Sequence, residues 1–109
     1  MVAKHPTRFI GVATLPLVSP TAVDAALEEL ERAIGQLHLK AVQLYTRCAG
    51  KPIDLPEFFP LYRKIVEYDI PILLHPTGGS DNAAARDYLL WLTFGWPFET
   101  CVAMSRLVY

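Results

Sequence analysis

The residue with the clearest potential for chemistry in this sequence is His75, which follows the apolar run Ile70–Leu74 and precedes Pro76. A proline disfavours an α-helical backbone at the residue before it, so His75 is expected to leave a strand in an extended conformation. Imidazole titrates near neutral pH and is the commonest metal ligand, so acid–base and metal chemistry are both open to it. A histidine after an apolar strand is still more often a hydrogen-bonded structural residue than a ligand, and the surrounding elements must decide between the two.

Two other polar segments follow apolar runs, namely Thr14 and Tyr45-Thr46-Arg47. The carboxyl ends of parallel strands lie at the same edge of a sheet, so parallel strands would bring both segments close to His75. Packing for Tyr45 and a solvated charge for Arg47 are the simpler interpretations. His38 precedes its strand and is expected at the opposite edge.

The glycine pair Gly78-Gly79 is a weak candidate for binding phosphate. Phosphate loops use a lysine or the spacing Gly-x-Gly-x-x-Gly at the start of a helix, and neither pattern occurs here. A turn or a flexible lid is the simpler prediction.

The elements that must position these residues are three strands, predicted at 8–15, 40–45 and 70–76. The last of them is apolar without alternation, which is typical of a strand buried on both faces in a parallel sheet covered by helices. A strand and a helix recur about every thirty residues, the unit length of a (β/α)8 barrel, which needs eight such units. Three units leave two open sheet edges. We therefore interpret residues 1–109 as an internal fragment of a larger barrel domain.

Helices are predicted at about 19–37, 54–69, 83–94 and 98–109. The first begins at Ser19-Pro20, where a hydroxyl can cap the helix and proline suits the first turn. Its apolar residues recur at intervals of three and four: Val23, Ala26, Leu27, Leu30, Ala33, Ile34 and Leu37. The buried stripe of the second is predicted to be Phe59, Tyr62, Ile65 and Val66. Gly95 and Pro97 are expected to separate the last two helices, and 46–51 is expected to be a polar loop.

Composition excludes several classes of function. The chain has 52% hydrophobic and 19% charged residues and a formal net charge of −1, without a basic run suited to nucleic acid or to an anionic membrane. No apolar run approaches the ~20 residues that cross a bilayer. Cys48 and Cys101 are far apart and in no metal-binding spacing, which predicts a cytoplasmic protein without disulfides.

Five segments occur in a characteristic order and spacing: Arg8–Leu17, Leu39–Tyr45, Pro56–Tyr62, Ile70–Pro76 and Trp91–Thr100. Together they resemble the middle of the amidohydrolase-related family, which includes aminocarboxymuconate semialdehyde, γ-resorcylate and 5-carboxyvanillate decarboxylases. The resemblance covers nearly the whole chain. It implies a (β/α)8 TIM barrel that holds a divalent metal, zinc or else manganese, and that catalyses non-oxidative decarboxylation or hydrolysis.

The resemblance also implies roles for particular residues. His75 matches a metal ligand of the family, and Tyr88 and Trp91 match the region that forms the substrate pocket. His38 stands where a glycine is usual. The family's His-x-His pair, its later catalytic histidine and its near-terminal aspartate have no counterpart in this sequence, so no catalytic residue is assigned. Because a catalytic zinc takes three or more protein ligands, these 109 residues alone are expected to bind metal poorly and to be inactive.

The predicted function is therefore that of a fragment of a metal-dependent decarboxylase, a lyase acting on a small carboxylated substrate and homodimeric when complete. A hydrolase of the same superfamily is the first alternative, to be distinguished by substrate profiling. A non-catalytic α/β interaction module is the second, and it predicts cooperative unfolding of these residues alone. A phosphate-binding domain is the third, and it requires anion binding at Gly78-Gly79.

Overall fold

The computed structural model describes residues 1–78 and 85–109 and has a three-stranded parallel sheet at its centre. The strands are β1 (Val12–Thr14), β2 (Ala41–Tyr45) and β5 (Ile72–His75), arranged in the order β1-β2-β5. Tyr45 pairs with His75 across β2 and β5. The parallel arrangement predicted from the sequence is confirmed, and the carboxyl ends of the strands share one edge.

The described residues form three α-helices beside the sheet: α1 (Val23–Glu31), α2 (Phe59–Glu67) and α3 (Trp96–Val108). Short 3-10 turns lie at Val2–Lys4, Pro20–Ala22, Pro56–Phe58 and Asp87–Leu89, and π-helical turns at Arg32–Gln36 and Trp91–Gly95. In the described part of the chain, no helix has the length and apolar character needed to cross a membrane.

A hairpin occupies the segment predicted as a polar loop. It consists of β3 (Arg47–Cys48) and β4 (Lys51–Pro52), which pair in antiparallel fashion. Its turn contains Ala49 and Gly50, both with positive φ. Two-residue strands are too short to show a sequence period, which is why the pattern of residues did not reveal them.

The core lies between one face of the sheet and helices α1 and α2. Its largest fully buried side chains are Leu30, Val42, Phe58 and Leu61. On β1 and β2 the residues that point into it alternate along each strand, as the pleat requires, and include Ala13, Val42 and Leu44. The periodic stripe predicted for the first helix is confirmed at Val23, Ala26, Leu30 and Ala33, all of which are buried.

The opposite face of the sheet is open among the described residues. Tyr45 and Leu73 each expose 46% of their surface there, and β5 alternates between half-buried and exposed positions. The prediction that the strand at 70–76 is buried on both faces is therefore wrong for this chain. In the described part of the chain, α1 and α2 pack on one face of the sheet, and a strand covered on one side buries every second residue.

Three local predictions also need correction. The first strand begins at Val12 and not at Arg8. Ser19 makes no capping hydrogen bond to the backbone, because its Oγ pairs with Thr21 Oγ1 at 2.8 Å. The buried stripe of the second helix is Phe58, Leu61 and Ile65, whereas Phe59 and Val66 are exposed. The 3-10 turn that opens this helix places Phe58 against the core, so the stripe begins one residue earlier than predicted.

The predicted break before the last helix is absent. The π-helical turn Trp91–Gly95 runs directly into α3, and Gly95 itself has helical φ and ψ. Pro97 lies in the first turn of α3, after this π-helical turn, and does not interrupt the helical backbone. The helix predicted at 98–109 is confirmed, and that predicted at 83–94 falls partly outside the described residues.

Candidate functional site

His75 is exposed at the carboxyl edge of the sheet, beside Tyr45 on its open face. The two rings meet edge to face, with centroids 5.5 Å apart and planes at 80°. His75 Nδ1 lies 2.8 Å from the carbonyl oxygen of Pro76. A carbonyl oxygen can only accept, so Nδ1 is the donor of this contact, and in the neutral imidazole the lone pair is then on Nε2. This is the tautomer that a histidine uses to bind a metal through Nε2.

Aromatic rings extend from His75 toward Trp91. The ring of Trp96 lies 6.5 Å from that of His75, and Trp91 contacts Trp96 edge to face at 5.5 Å. We call Tyr45, Trp91 and Trp96 the aromatic wall. The indole Nε1 of Trp96 is buried, and no described residue accepts a hydrogen bond from it. The structure therefore brings one predicted pocket residue, Trp91, into the surroundings of His75 through Trp96.

Tyr88, the other predicted pocket residue, lies apart from the aromatic wall. It is 91% exposed, and both Tyr88 and Leu89 have left-handed backbone conformations, with φ of 55° and 58°. Within 1–78 and 85–109 its ring has no aromatic contact with His75 or the tryptophans. Its role in binding substrate stays a prediction.

Arg47 lies in a cavity of about 390 Å³ between the β3–β4 hairpin and α3, which Thr46 and Glu99 also line. The cavity is also lined by Asp54 and Arg106, whose side chains form two hydrogen bonds of 2.8 and 2.9 Å. His75 is not among the lining residues. The register places Thr14 on β1 opposite Gln43, so that β2 separates it from His75 on β5.

Glu99 is a residue that sequence reasoning did not assign to the site. It is only 7% exposed, and its carboxylate accepts hydrogen bonds from Thr46 Oγ1 and from Thr77 N and Oγ1, the last two at 3.2 and 2.7 Å. Gly78 N donates to its other oxygen at 3.2 Å. Burial raises the pKa of the Glu99 carboxyl, but these hydrogen bonds outweigh it and lower the pKa to about 2.

A signal for Glu99 does exist in the sequence. Glu99, Ala103 and Leu107 recur every four residues on α3, where Ala103 is buried and Leu107 packs against the core. An acidic residue in such a stripe must have hydrogen-bond partners, because an unpaired buried carboxylate is costly.

The same contacts bear on the phosphate-binding alternative. Gly79 lies outside the described residues, and the N–H of Gly78 already donates to the Glu99 carboxylate. A phosphate at Gly78 would meet this negative charge, so the described part of the glycine pair does not support an anion site.

The described residues at this edge of the sheet could supply only part of the ligand set of a metal ion. The described residues contain no group of three or more histidine, cysteine, aspartate or glutamate side chains that could hold a metal ion. Catalytic zinc sites use three protein ligands. His75 has the right tautomer and exposure to be one of them, and the remaining ligands would come from other parts of the protein.

Comparison with known proteins places this geometry in a family. The amidohydrolase family profile matches residues 1–108. The chain belongs to the amidohydrolase family. It is 31% identical over 111 residues to 2-amino-3-carboxymuconate-6-semialdehyde decarboxylase from Dictyostelium discoideum, with coverage of 100% of this chain and 30% of the relative.

Solved structures of the family agree with the fold. The chain is similar to 2,6-dihydroxybenzoate decarboxylase from Rhizobium, with a TM-score of 0.83, 32% identity, and coverage of 97% of this chain and 35% of that one. Dihydroxybenzoic acid decarboxylase from Polaromonas, solved with bound manganese and the inhibitor 2-nitroresorcinol, gives a TM-score of 0.76 at 31% identity, with coverage of 97% and 34%. The predicted architecture, a three-stranded part of a TIM barrel, is confirmed. The chain spans about a third of the length of these relatives.

Proposed function

We propose that residues 1–109 are an internal part of one amidohydrolase barrel domain, and that the complete protein is a metal-dependent carboxy-lyase acting on a small carboxylated aromatic substrate. The observation that carries this proposal is His75, an exposed imidazole at the carboxyl edge of a parallel sheet whose Nδ1 is occupied by the carbonyl of Pro76. Active sites of β/α barrels lie at that edge. Similarity to decarboxylases over nearly the whole chain supports the choice of reaction.

The residues of this chain would bind and orient a substrate in defined ways. His75 supplies a neutral nitrogen ligand, and a bound divalent metal would polarise substrate oxygens or activate a water molecule. Tyr45, Trp96 and Trp91 supply ring faces and edges against which an aromatic substrate can pack. The proton that replaces the lost carboxylate would come from a group outside this aromatic wall.

The open face of the sheet favours the hypothesis of a barrel, rather than that of a self-contained interaction module. Leu73 and Val12 on this face are exposed side chains of the kind that fill the interior of a barrel. Further strands of the same domain would cover them.

The metal itself is the least specified part of the proposal. The sequence prediction favours zinc, and an imidazole ligand suits zinc well. The related Polaromonas decarboxylase was solved with manganese. Metal analysis of the purified protein distinguishes the two.

Assembly and location complete the proposal. We propose a homodimer, for which the exposed Phe94 and Phe98 near the start of α3 supply apolar surface. We also propose a cytoplasmic location, because Cys48 and Cys101 are both free thiols, which suits a reducing compartment.

The test uses the complete reading frame that contains this chain. The purified protein is expected to hold a divalent metal and to release CO2 from 2,6-dihydroxybenzoate or from a related carboxylated substrate. His75→Ala should lower metal content and reduce kcat/KM at least a hundredfold, since it removes a metal ligand. The control is His5→Ala, at an exposed histidine of the amino-terminal segment, which should leave both unchanged.

The results separate the alternatives. Full metal content and activity in His75→Ala would contradict the proposal. Release of a hydrolysis product without CO2 would contradict the lyase proposal and support the alternative, a hydrolase. In the same assay Trp91→Leu is expected to raise KM several-fold, and Tyr88→Leu tests the second predicted pocket residue by the same measure.

A further inference from the structure

Glu99 connects the two loops that flank His75. We propose that Glu99 is a positioning residue for His75, and that its carboxylate holds the backbone after β5 in the conformation that keeps the His75 Nε2 available to a metal. This inference rests on the proposed function, since it assumes that His75 is a ligand. It adds a residue on a distant helix, and one that touches neither the metal nor the substrate.

The first link is the peptide bond between Pro76 and Thr77. The N–H of Thr77 donates to Glu99 Oε1 at 3.2 Å, while the carbonyl of Pro76, in the same peptide unit, accepts from His75 Nδ1 at 2.8 Å. No peptide bond of the described chain is cis, so this N–H and this carbonyl point in opposite directions from one plane. Fixing the N–H on Glu99 therefore fixes the direction of the carbonyl that sets the His75 tautomer.

The second link comes from the neighbouring strand. Thr46 follows β2, and its N–H donates to the carbonyl of His75 at 3.1 Å. The hydroxyl of the same Thr46 donates to Glu99 Oε1. Glu99 therefore holds the backbone at His75 from the β2 side as well as from the Thr77 side.

The third link is Gly78, whose N–H donates to Glu99 Oε2 at 3.2 Å. With Thr77 and Thr46, this donor uses both oxygens of one carboxylate. An amide side chain could not replace it, because a glutamine accepts through only one of its two terminal atoms. A Glu99→Gln variant would present a donor either to Gly78 or to the threonines, and it would release one side of the loop.

The experiment measures metal binding and the His75 tautomer in the complete protein. Glu99→Gln is expected to weaken binding of Mn²⁺ or Zn²⁺, measured by calorimetry, by 10- to 100-fold, the usual effect of removing an outer partner of a metal-binding histidine. In the metal-free wild type, the ¹⁵N chemical shifts of the His75 ring are expected to indicate a single tautomer. In metal-free Glu99→Gln they are expected to indicate a mixture of the two tautomers. Ala103→Gly destabilises the same helix but removes none of these hydrogen bonds, so it is the matched control.

The outcomes are distinguishable. Weaker metal binding and a mixed tautomer in Glu99→Gln, with neither change in Ala103→Gly, support the inference. Unchanged affinity in Glu99→Gln, or a loss that merely follows thermal stability in both variants, overturns it. His75→Ala is measured in parallel. If that variant binds metal as tightly as the wild type, the proposed function itself fails, and the inference fails with it.

Discussion

At the scale of single residues, Glu99 stays ionised in a place where burial alone would favour its neutral form. Burial raises the pKa of its carboxyl, and the hydrogen bonds from Thr46, Thr77 and Gly78 lower it to about 2. Hydrogen bonds to a charged acceptor are stronger than those to a neutral one. The charge of Glu99 is therefore part of what holds the segment after β5.

The depressed pKa of Glu99 predicts a pH dependence of stability. The carboxyl has a pKa of about 2 in the folded chain and an ordinary value of 4.5, so the unfolded chain binds the proton more tightly. Ionised Glu99 should add on the order of 3 kcal/mol to the free energy of unfolding above pH 4.5, and this contribution should be lost as the pH falls toward 2. Denaturant unfolding of wild type and Glu99→Gln should therefore differ most near pH 7.

The control for this prediction is Glu28→Gln, at an exposed glutamate of α1. The free energy of unfolding of Glu28→Gln should differ from that of the wild type by a small and nearly constant amount between pH 7 and pH 3. If the difference between Glu99→Gln and the wild type also stays constant down to pH 3, then the carboxylate does not stabilise the fold through its charge.

His75 and Glu99 differ in how far the sequence reveals them. His75 is marked as a candidate by its place between an apolar run and a proline, and its predicted role as a metal ligand comes from the family resemblance. The hydroxyl partners of Glu99 are 22 and 53 residues away along the chain, at Thr77 and Thr46. No local pattern states which distant donors a carboxylate will meet, and for this reason only the structure identified the role of Glu99.

At the scale of elements, the stripe of the first helix was predicted well except at the exposed Leu37. The stripe of the second was right at Ile65 and at the partly buried Tyr62, and wrong at Phe59 and Val66. The apolar residues of α1 leave only one choice of buried stripe. In α2 the apolar residues occur on more than one face, as Phe58-Phe59 and Ile65-Val66 both show. Packing against the sheet selected Phe58, Leu61 and Ile65, and periodicity alone could not make that selection.

The register of α2 can be tested by two truncations. Leu61→Ala should lower the free energy of unfolding by roughly 2–5 kcal/mol, because Leu61 is fully buried and its loss leaves a cavity. Val66→Ala should change it by about 0.5 kcal/mol or less, since Val66 is 76% exposed. A larger loss for Val66→Ala than for Leu61→Ala in chemical denaturation would contradict the observed stripe.

At the scale of the whole molecule, the order of strands and the family were predictable, but the state of the second sheet face was not. Strand spacing indicates a barrel unit whether or not the other strands are present. The sequence of β5 is apolar at successive positions, as in a strand that is covered on both faces. In the described chain, β5 is covered on one face and exposed on the other. The sequence therefore describes the surroundings that β5 would have in a complete barrel.

This difference leads to a prediction for two neighbouring leucines. Leu73 lies on the open face and is 46% exposed, whereas Leu74 packs against the core on the helical side. In the 109-residue chain, Leu73→Thr should reduce binding of a hydrophobic dye, because it removes exposed apolar surface. In the complete protein the same substitution should lower the free energy of unfolding by about 1–3 kcal/mol, because it would bury a hydroxyl inside a barrel.

Leu74→Thr supplies the comparison, since its side chain contacts the same helices in either context. It should destabilise the complete protein and increase dye binding by the 109-residue chain, because it weakens the packing that this chain already has. Leu73→Thr is thus expected to reduce dye binding by the 109-residue chain but to destabilise the complete protein. Leu74→Thr is expected to be unfavourable in both proteins. A complete protein that tolerates Leu73→Thr without loss of stability would mean that no strand covers the open face, and the barrel proposal would then have to be abandoned.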